Sequence, residues 1–303
     1  MDFRQLQALI AIADHGSFSA AAAALHTVQS NVSSHIARLE KELGVQLVDR
    51  HGGTLTEEGL AVLERARRIA AELEAASADV AALRHEVSGT ARIGMIGTTA
   101  RWLAPLLLDR MAVVHPEVRL VISDGTSATL EPHLAAGSLD AAVVNLPQSS
   151  PELIEKPLFD EDLVLLVPSS HPLAGRARVE IDELDGTPLL LPAPGTGFRK
   201  EIDEACYARG VTLHPRAELD GVRLIASLTL RGYGPAILPA TGATEGIPGF
   251  SRIAISGVAR RTVGLVLRRR GRPSAPARAM LEVLESVVTT NLDPASGLHR
   301  PAR

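Results

Sequence analysis

Residues 6–50 read LQALIAIADHGSFSAAAAALHTVQSNVSSHIARLEKELGVQLVDR, and this stretch decides how the front of the chain folds. From the N-terminus, apolar residues recur three and four positions apart until His15 and Gly16 interrupt them, which predicts an amphipathic helix. These apolar residues are Phe3, Leu6, Leu9, Ile10 and Ala13. An alanine-rich run follows, which Ser17 or Ser19 can cap and which ends near Leu25. Its small side chains permit a second helix to pack closely.

A third helix is predicted from Gln29 onward, after a tight turn at residues 26–28. Its apolar residues lie four, three and four positions apart and predict one buried stripe that stops at Gly44. They are Val32, Ile36, Leu39 and Leu43. The predicted pair of short helices joined by a tight turn indicates a helix-turn-helix. The first of the two is rich in small residues, and the second begins with polar ones. The second of these helices is expected to read DNA.

Two short extended pieces follow, VQLVDR at residues 45–50 and TLT at residues 54–56, with His-Gly-Gly between them. Two glycines in succession supply the backbone freedom that a tight hairpin requires. We therefore expect a β-hairpin after the third helix, which would be the wing of a winged helix-turn-helix.

A long helix is predicted from Thr56, which can cap it, to about Val87. Glu57 and Glu58 in its first turn suit the positive end of the helix dipole. Along this helix two series of apolar residues recur every seven positions, which is a coiled-coil pattern. The first series is Val62, Ile69, Ala76 and Leu83, and the second is Ala66, Leu73, Val80 and Val87. Pairing between two chains is the preferred interpretation, and the alternative is an amphipathic helix that lies on its own domain.

The chain beyond Ser88 and Gly89 alternates short β-rich apolar runs with helical patterns, which predicts parallel α/β architecture. A second comparable unit begins near residue 161, so we expect two α/β lobes. The strand pattern at residues 262–269 and the helical pattern at residues 279–288 are expected to return to the first lobe. Residues 291–303 are expected to form a loosely ordered tail.

Composition narrows the class of protein. Hydrophobic residues make up 46% of the 303 residues and charged residues 22%, which are ordinary values for a globular chain. The N-terminus lacks the pattern of a secretory signal and no apolar run approaches the roughly 18 residues of a membrane span, so we expect a cytoplasmic protein. The single cysteine, Cys206, allows no internal disulfide and is interpreted as a packing residue. The net charge of -4 gives no global attraction to nucleic acid, so any DNA binding must be local.

The segment at residues 6–50, followed by LTEEG at residues 55–59, resembles the DNA-binding end of LysR-type transcriptional regulators almost position for position. Two further motifs extend the resemblance over nearly the whole chain. They are HPLA at residues 171–174 and GYGPAILP at residues 232–239. By its sequence, the chain therefore resembles LysR-type regulators along nearly its whole length.

The resemblance implies a winged helix-turn-helix at residues 1–58, a linker helix for dimerisation at residues 59–88, and an effector domain at residues 89–303. The two α/β lobes of that effector domain would be built like a periplasmic solute-binding protein. The implied partners are double-stranded promoter DNA, a small-molecule effector, RNA polymerase, and further copies of the chain in a homodimer or homotetramer. No cofactor or metal is implied, and the regulator would associate with the nucleoid when bound to DNA.

Three positions depart from the family's common pattern. Val28 stands where a hydroxyl residue often precedes the glutamine, Ser34 where relatives frequently have a basic residue, and Val48 where an aromatic residue is common. Thr27, one position before Val28, is a candidate to cap the third helix instead. The first 54 residues carry four basic and five acidic side chains, so we expect a single module to bind DNA weakly and an oligomer to be needed.

Candidate DNA-binding residues are Gln29, Ser30, Ser33, Ser34, Arg38 and Arg50. Gln29 is assigned to reading bases because it opens the third helix on the face opposite the apolar stripe. The serines on that face can reach bases or phosphates; alternatively, they only satisfy local backbone groups. Arg50, beside the wing glycines, is placed for a phosphate or the minor groove unless it is simply a solvated arginine.

Candidate effector-binding residues lie where strands of the α/β lobes are expected to end. They are Thr98, Thr99, Thr126, Ser127, Asn145, Thr196 and Phe198. Ligands of such folds lie beyond the carboxyl ends of parallel strands, and hydroxyls with free backbone N–H groups suit a polar or anionic ligand. The alternative for each residue is ordinary turn and capping chemistry.

Other classes of protein fit the sequence less well. The chain has no G-x-S-x-G motif, no clustered metal ligands and no nucleotide-binding fingerprint, which disfavours an enzyme. An architectural DNA binder without a ligand would have no use for two α/β lobes. Several arginines near the C-terminus are interpreted as a solvated strand edge rather than a second basic surface. They are Arg260, Arg261, Arg268, Arg269, Arg270 and Arg272.

Overall fold

The computed structural model describes residues 1–49, 53–84, 86–147, 150–243, 246 and 248–302, so Arg50 and the tip of the expected wing lie outside the described residues. The helices are α1 (Phe3–His15), α2 (Phe18–Ala24), α3 (Gln29–Leu43), α4 (Glu57–Ala82), α5 (Gly97–Val114), α6 (Ser127–Ala135), α7 (Gly197–Tyr207), α8 (Val222–Thr229) and α9 (Ala275–Asn291). The strands are β1 (Gly89–Ile96), β2 (Val118–Gly125), β3 (Ala141–Asn145), β4 (Leu153–Glu161), β5 (Leu163–Pro168), β6 (Arg178–Glu180), β7 (Pro188–Pro192), β8 (His214–Leu219), β9 (Ala236–Pro239), β10 (Phe250–Ser256), β11 (Arg261–Arg268) and β12 (Leu298–His299).

The first three helices pack around a small apolar core, and Ser17 is the residue that caps α2. One expectation for α3 is wrong, because Leu43 is 40% exposed and lies outside the buried stripe. The last turn of α3 faces the N-terminus, where Glu42 accepts a hydrogen bond from the side chain of Gln5. The apolar stripe therefore ends one turn earlier, at Leu39.

The chain after α3 forms the base of the wing and leads directly into α4. Val48 and Leu55 pair in an antiparallel bridge, and the hydroxyl of Thr56 caps α4 by accepting a hydrogen bond from the N–H of Gly59 at 3.0 Å. A Cβ atom at Gly59 would lie only 2.0 Å from the carbonyl oxygen of Leu47. This close approach of two backbones requires glycine, and it fixes the wing against the start of α4.

The predicted end of α4 is wrong. The helix ends at Ala82 rather than near Val87, because Val87 leaves the seven-residue pattern and packs against the core of the first lobe. The continuous apolar row is therefore shorter than the sequence pattern indicates. Among the described residues, no helix combines the length and the apolar composition needed to cross a membrane.

The remainder of the chain forms two six-stranded sheets, one for each lobe. The first has the order β12-β4-β11-β3-β1-β2, with β1 parallel to both β2 and β3 and with β11 antiparallel to β3 and β4. The second has the order β6-β10-β5-β9-β7-β8. The chain crosses from the first lobe to the second between β4 and β5, and it returns between β10 and β11. The predicted return of the later strand and helix to the first lobe is thus observed.

The interpretation of the C-terminal arginines as a solvated strand edge is wrong for part of the group. Strand β11 lies between β3 and β4 in the interior of its sheet, so its first residue, Arg261, is almost fully buried. Arg268 and Arg269 at its other end donate hydrogen bonds to main-chain carbonyl groups, including those of Leu139 and Leu153. Arg261 is therefore buried and Arg268 is partly buried, whereas Arg269 stays exposed although it is hydrogen-bonded to the main chain.

The expectation of a loose C-terminal tail is also wrong over most of its length. Residues 298 and 299 form β12, which pairs antiparallel with the end of β4, and Leu298 is buried. The N–H of Asp162 donates to the carbonyl of Gly297 at 2.9 Å, and Nε2 of His299 lies 2.9 Å from Oδ2 of Asp162. The tail therefore lies across the first crossing between the lobes.

Candidate DNA interface and effector cleft

The first turn of α3 is an exposed polar surface of the N-terminal module. Gln29, Ser30 and Ser33 are exposed there, on the side of the helix away from the buried stripe. Val28 precedes the helix, is 60% exposed, and supplies no side-chain hydrogen bond to the first turn. The first N–H groups of a helix have no partner within it, so this turn presents free donors beside a polar amide and hydroxyls.

The side chain of Gln29 is held by a residue that sequence reasoning assigned only to capping. Ser19 Oγ donates a hydrogen bond to Oε1 of Gln29 at 3.1 Å, which joins the starts of α2 and α3. The amide N–H groups of Gln29 stay available as donors. The signal in the sequence was weak, because either Ser17 or Ser19 was a reasonable cap for α2.

Thr27 and Ser34, two further polar residues of this region, have intramolecular partners. The hydroxyl of Thr27 accepts a hydrogen bond from the amide of Asn31 at 2.9 Å, and it therefore does not act as a replacement cap for the backbone of α3. Ser34 is half-buried and accepts a hydrogen bond from the guanidinium of Arg38 at 3.1 Å, one turn further along the helix. Arg38 itself is exposed.

The acidic residues of the module are occupied by contacts within the protein. Glu40 accepts hydrogen bonds from the backbone of the wing, including the N–H of Leu47 at 2.9 Å. Glu42 pairs with the N-terminal ammonium, which, with the amide of Gln5, lowers the pKa of its carboxyl. Asp14 pairs with Arg67 of α4 at 2.5 Å. The first turn of α3 contains no acidic residue, so the negative charge of the module lies away from it.

Helix α4 presents two different faces. One face lies against the first lobe, where Glu74 pairs with Arg92 at 3.0 Å and Asp79 accepts a hydrogen bond from the first N–H of α9 at 2.9 Å. The other face carries an apolar row with exposed fractions between 40% and 83%. The row consists of Ile69, Leu73, Val80 and Leu83. The helix thus lies on its own domain along one side and leaves an unburied apolar row on the other.

Strands β1, β2 and β3 end at one edge of the first lobe, facing residues of the second lobe. Thr98 and Thr99 follow β1 in the first turn of α5 and are both buried. The methyl group of Thr98 lies 3.1 Å from the position that a Cβ of Gly242 would occupy. Oγ1 of Thr99 has no hydrogen-bond partner among the described atoms.

An ion pair joins the lobes beside these threonines. Asp124, at the end of β2, pairs with Arg223, the second residue of α8. The guanidinium of Arg223 also lies beside Gly97, because a Cβ on that glycine would be 3.2 Å from Nε of the arginine. Both partners are partly exposed, with side-chain exposures of 35% for Asp124 and 62% for Arg223.

Arg261 brings two of the predicted effector residues together. Its guanidinium donates to Oδ1 of Asn145 at the end of β3 and lies 5.3 Å from the ring centroid of Phe198 at the start of α7. It also pairs with Glu161 at 3.0 Å and lies 4.0 Å from Glu201 of α7. Arg261 is therefore a buried cation shared by the two lobes.

Burial affects both carboxyl groups beside Arg261. Glu161 is fully buried, and its Oε2 accepts hydrogen bonds from the N–H and the hydroxyl of Thr241 at 3.1 and 2.8 Å. Burial raises the pKa of the Glu201 carboxyl, although the charge of Arg261 opposes the shift. Neither Arg261 nor Glu161 was singled out as a site residue from the sequence, because a charged residue next to an apolar strand usually lies in solvent.

The remaining predicted effector residues serve mainly as helix caps. Thr126 caps α6 in a reciprocal pair with Thr129, and Thr196 caps α7 by accepting a hydrogen bond from the N–H of Arg199 at 3.3 Å. Ser127 is half-buried in the first turn of α6. The structure thus gives the hydroxyls of Thr126 and Thr196 the capping roles that the alternative interpretation assigned to them.

Comparison with known families decides what this architecture is. Residues 84–289 match the model of the LysR substrate binding domain, and residues 3–60 match the model of the bacterial regulatory helix-turn-helix protein, lysR family. The chain is a LysR-type transcriptional regulator. As a member of that family it is a DNA-binding regulator with an effector-binding domain, and it is not an enzyme.

Relatives of this LysR-type regulator include proteins with assigned roles. It is 32% identical over 296 residues to a probable hydrogen peroxide-inducible genes activator from Mycobacterium leprae, which covers 94% of each chain. Its structure is similar to a variant of full-length OxyR from Pseudomonas aeruginosa, with a TM-score of 0.78 and 25% identity over 100% of this chain and 99% of that one. It is also similar to full-length CbnR complexed with its target DNA, with a TM-score of 0.72 and 27% identity over 96% of this chain and 99% of CbnR. The predicted fold class is confirmed.

Proposed function

We propose that this LysR-type regulator recognises promoter DNA through Gln29, Ser30 and Ser33, and that a small molecule between its lobes modulates this binding. The observation that carries the proposal is the exposed first turn of α3, where free N–H groups stand beside an amide and hydroxyls. Such N–H groups attract phosphate oxygens, while a glutamine amide can read the edge of an adenine. Ser34, Arg38 and Arg50 would contribute phosphate contacts.

The functional unit in this proposal is a dimer joined through α4, or a pair of such dimers. The exposed row of Ile69, Leu73, Val80 and Leu83 supports pairing between chains, because burying such a row against a second helix stabilises both helices. Pairing also supplies two reading helices, which offsets the weak DNA attraction of a module that carries four basic and five acidic side chains. We place the domain boundaries at residues 58 and 88, on either side of this linker.

The effector would bind where β1, β2 and β3 face the second lobe, in contact with Thr98, Thr99 and Asn145. Ser127, Thr126, Thr196 and Phe198 belong to the same pair of facing edges. Two ionic contacts already join the lobes there, Arg223 with Asp124 and Arg261 with Glu201. A ligand that favours one lobe arrangement over another would shift the population of the dimer and thereby the spacing of its reading helices.

The names of several relatives refer to hydrogen peroxide, but the thiol of this chain does not favour the same role. Cys206 is the only cysteine in the sequence, so a disulfide within one chain is impossible. The thiol is buried, and that burial raises its pKa to about 11. Since the thiolate is the reactive form, we propose that the effector acts by reversible binding rather than by oxidising this cysteine.

The first test is binding of the purified protein to the DNA immediately upstream of its own gene, with random DNA as competitor. We expect retarded bands that survive competition and protection that spans two half-sites. Gln29→Ala should weaken binding to this DNA about tenfold, the cost of a lost base contact, while binding to random DNA changes little. Gln7→Ala, an exposed glutamine on α1, is the matched control. Equal loss on both DNAs would show that Gln29 does not read bases.

In the cell, the regulator would act in the cytoplasm, associated with the nucleoid, and would contact RNA polymerase at its promoters. This part of the proposal follows from the DNA-binding role of the family. Co-purification of the DNA-bound regulator with RNA polymerase, compared with the Gln29→Ala variant, tests it. Polymerase recovered equally with both proteins would contradict a promoter-dependent contact.

A further inference from the structure

A cavity of 530 Å³ lies between α4 and the first lobe, separate from both the reading helix and the facing edges of the two lobes. Its volume falls within the range of about 300–1,000 Å³ that is typical of small-molecule sites. The wall contributed by α4 is made largely of alanines. They are Ala71, Ala75, Ala78 and Ala81. Ile154, Leu267 and Pro276 of the first lobe complete an apolar floor.

The rim of this cavity is cationic, because five arginines face three acidic residues. The arginines are Arg92, Arg268, Arg269, Arg270 and Arg272, and the acids are Glu72, Glu74 and Asp140. Arg92 is paired with Glu74, while Arg268 and Arg269 donate to main-chain carbonyls. Among the residues that the structure describes, no hydrogen bond or ion pair engages the exposed side chains of Arg270 and Arg272.

The most deeply placed acid of the rim is turned toward the backbone. Oδ2 of Asp140 accepts a hydrogen bond from the N–H of Arg92 at 2.7 Å, and burial raises the pKa of the Asp140 carboxyl. Burial therefore disfavours the ionised form of this carboxyl, and one of its oxygens is already engaged by the backbone of Arg92. The two unpaired guanidinium groups are the charges available to a ligand.

We propose that this cavity binds a small organic anion that has an apolar body of about the size of one ring and a carboxylate or phosphate group. The apolar body lies between the alanine wall and the apolar floor, and Arg270 and Arg272 bind the anionic group. The planar guanidinium fork matches both carboxylate and phosphate oxygens and binds either through paired charge-assisted hydrogen bonds. The apolar floor selects against inorganic anions, which would leave it uncovered.

A ligand in this position touches the linker helix and the first lobe at once. The two are already joined by the pair between Glu74 and Arg92 and by Asp79, which caps α9 and contacts Arg278 at 3.2 Å. Binding adds contacts to the same junction and stabilises the docked position of α4. The cavity is thus a second ligand site, placed where the effector domain meets the dimerisation helix.

The test uses the full-length protein and isothermal titration calorimetry with phenyl phosphate, benzoate and inorganic phosphate as probes. Phenyl phosphate and benzoate should bind, and the double variant Arg270→Ala/Arg272→Ala should bind them about tenfold more weakly. The double variant Arg216→Ala/Arg231→Ala removes two exposed arginines from the second lobe and should bind as the natural protein does.

A second variant addresses the floor of the cavity. Ala78→Leu fills part of the cavity beside Gly89, so it should weaken phenyl phosphate binding to a similar extent as Arg270→Ala/Arg272→Ala. Its melting temperature should change no more than that of the control variant Arg216→Ala/Arg231→Ala. The proposal is overturned if neither organic probe binds, or if Arg270→Ala/Arg272→Ala binds as tightly as its control, which would place the probes elsewhere. It is also overturned if inorganic phosphate binds as tightly as phenyl phosphate.

Discussion

Ser19 Oγ donates a hydrogen bond to Oε1 of Gln29 at 3.1 Å, so the first turn of α2 fixes the side chain that opens the reading helix. The contact occupies the carbonyl end of the glutamine amide and leaves its N–H groups for acceptors on a base. A long, exposed glutamine otherwise samples many rotamers, and holding it in one of them reduces the entropy lost on binding.

Ser19→Ala should therefore lower the preference for operator DNA over random DNA by about fivefold, the value of one ordinary hydrogen bond. Competition binding with the two DNAs measures this ratio. Ser17→Ala is the comparison, since it removes the cap of α2 and should reduce the melting temperature more than the preference. A Ser19→Ala protein with an unchanged ratio would show that Gln29 needs no support.

Gly59→Ala should destabilise the N-terminal module by about 3 kcal/mol, because its methyl group would overlap the carbonyl oxygen of Leu47. Thermal unfolding of the full chain measures the loss. Gly197→Ala is the control, as that glycine begins α7 and a Cβ there meets nothing within 4 Å. Equal stability of the two variants would mean that the wing and α4 move apart freely.

The carboxyl of Asp162 should make stability depend on acid pH. Burial alone would raise its pKa, but hydrogen bonds from His299 and Arg260 outweigh this and hold the pKa below its usual value of 3.8. A depressed carboxyl pKa stabilises the fold above the unfolded value, and this contribution is lost as the pH falls through the folded value. Asp162→Asn should thus cost stability at about pH 6 and cost less near about pH 3.

Urea unfolding of Asp162→Asn across that pH range provides the measurement. Asp109→Asn, which changes an exposed carboxylate of α5, is the control for removing one charge. If Asp162→Asn lowered the free energy of unfolding equally at every pH, the contact between the C-terminal tail and the lobe crossing would not depend on the charge of this carboxyl.

Cys206 should react very slowly with iodoacetamide in the native protein at about pH 8, because a thiol with a pKa of about 11 is almost entirely protonated there. The same thiol should react rapidly once the chain is unfolded in urea. Cys206→Ser should keep operator binding, and peroxide should change the binding of neither protein. A peroxide response that disappears in Cys206→Ser would contradict our proposal of reversible effector binding.

The helix-turn-helix could be predicted from sequence because each of its signals is local. Spacing within one turn marks the stripe of Val32, Ile36 and Leu39, and glycines or serines mark the helix ends. The end of α4 was not predictable in this way. Val87 fits the seven-residue pattern as well as Leu83 does, and only the core of the first lobe draws it out of the helix.

The effector region shows the same limit more strongly. Threonine and asparagine at the strand ends drew attention to these edges of the lobes, but Arg261 and Glu161 meet there only because β4 and β11 are neighbours in the sheet. The pairing of β12 with β4 joins segments separated by more than a hundred positions. Strand β12 has only two residues, which is too short for a periodic pattern that would predict it. Contacts set by topology leave no local pattern in the sequence.

The first lobe is assembled from the middle and the very end of the chain, with β11, α9 and β12 completing a sheet begun by β1 to β4. During synthesis, the reading helices and the whole second lobe leave the ribosome before that sheet has its remaining strands. Until β11 has been synthesised, β3 and β4 lack the strand that lies between them, and each presents an unpaired backbone edge. A nascent chain therefore completes its helix-turn-helix before the sheet of the first lobe can close, so these two parts of the regulator fold at different times during synthesis.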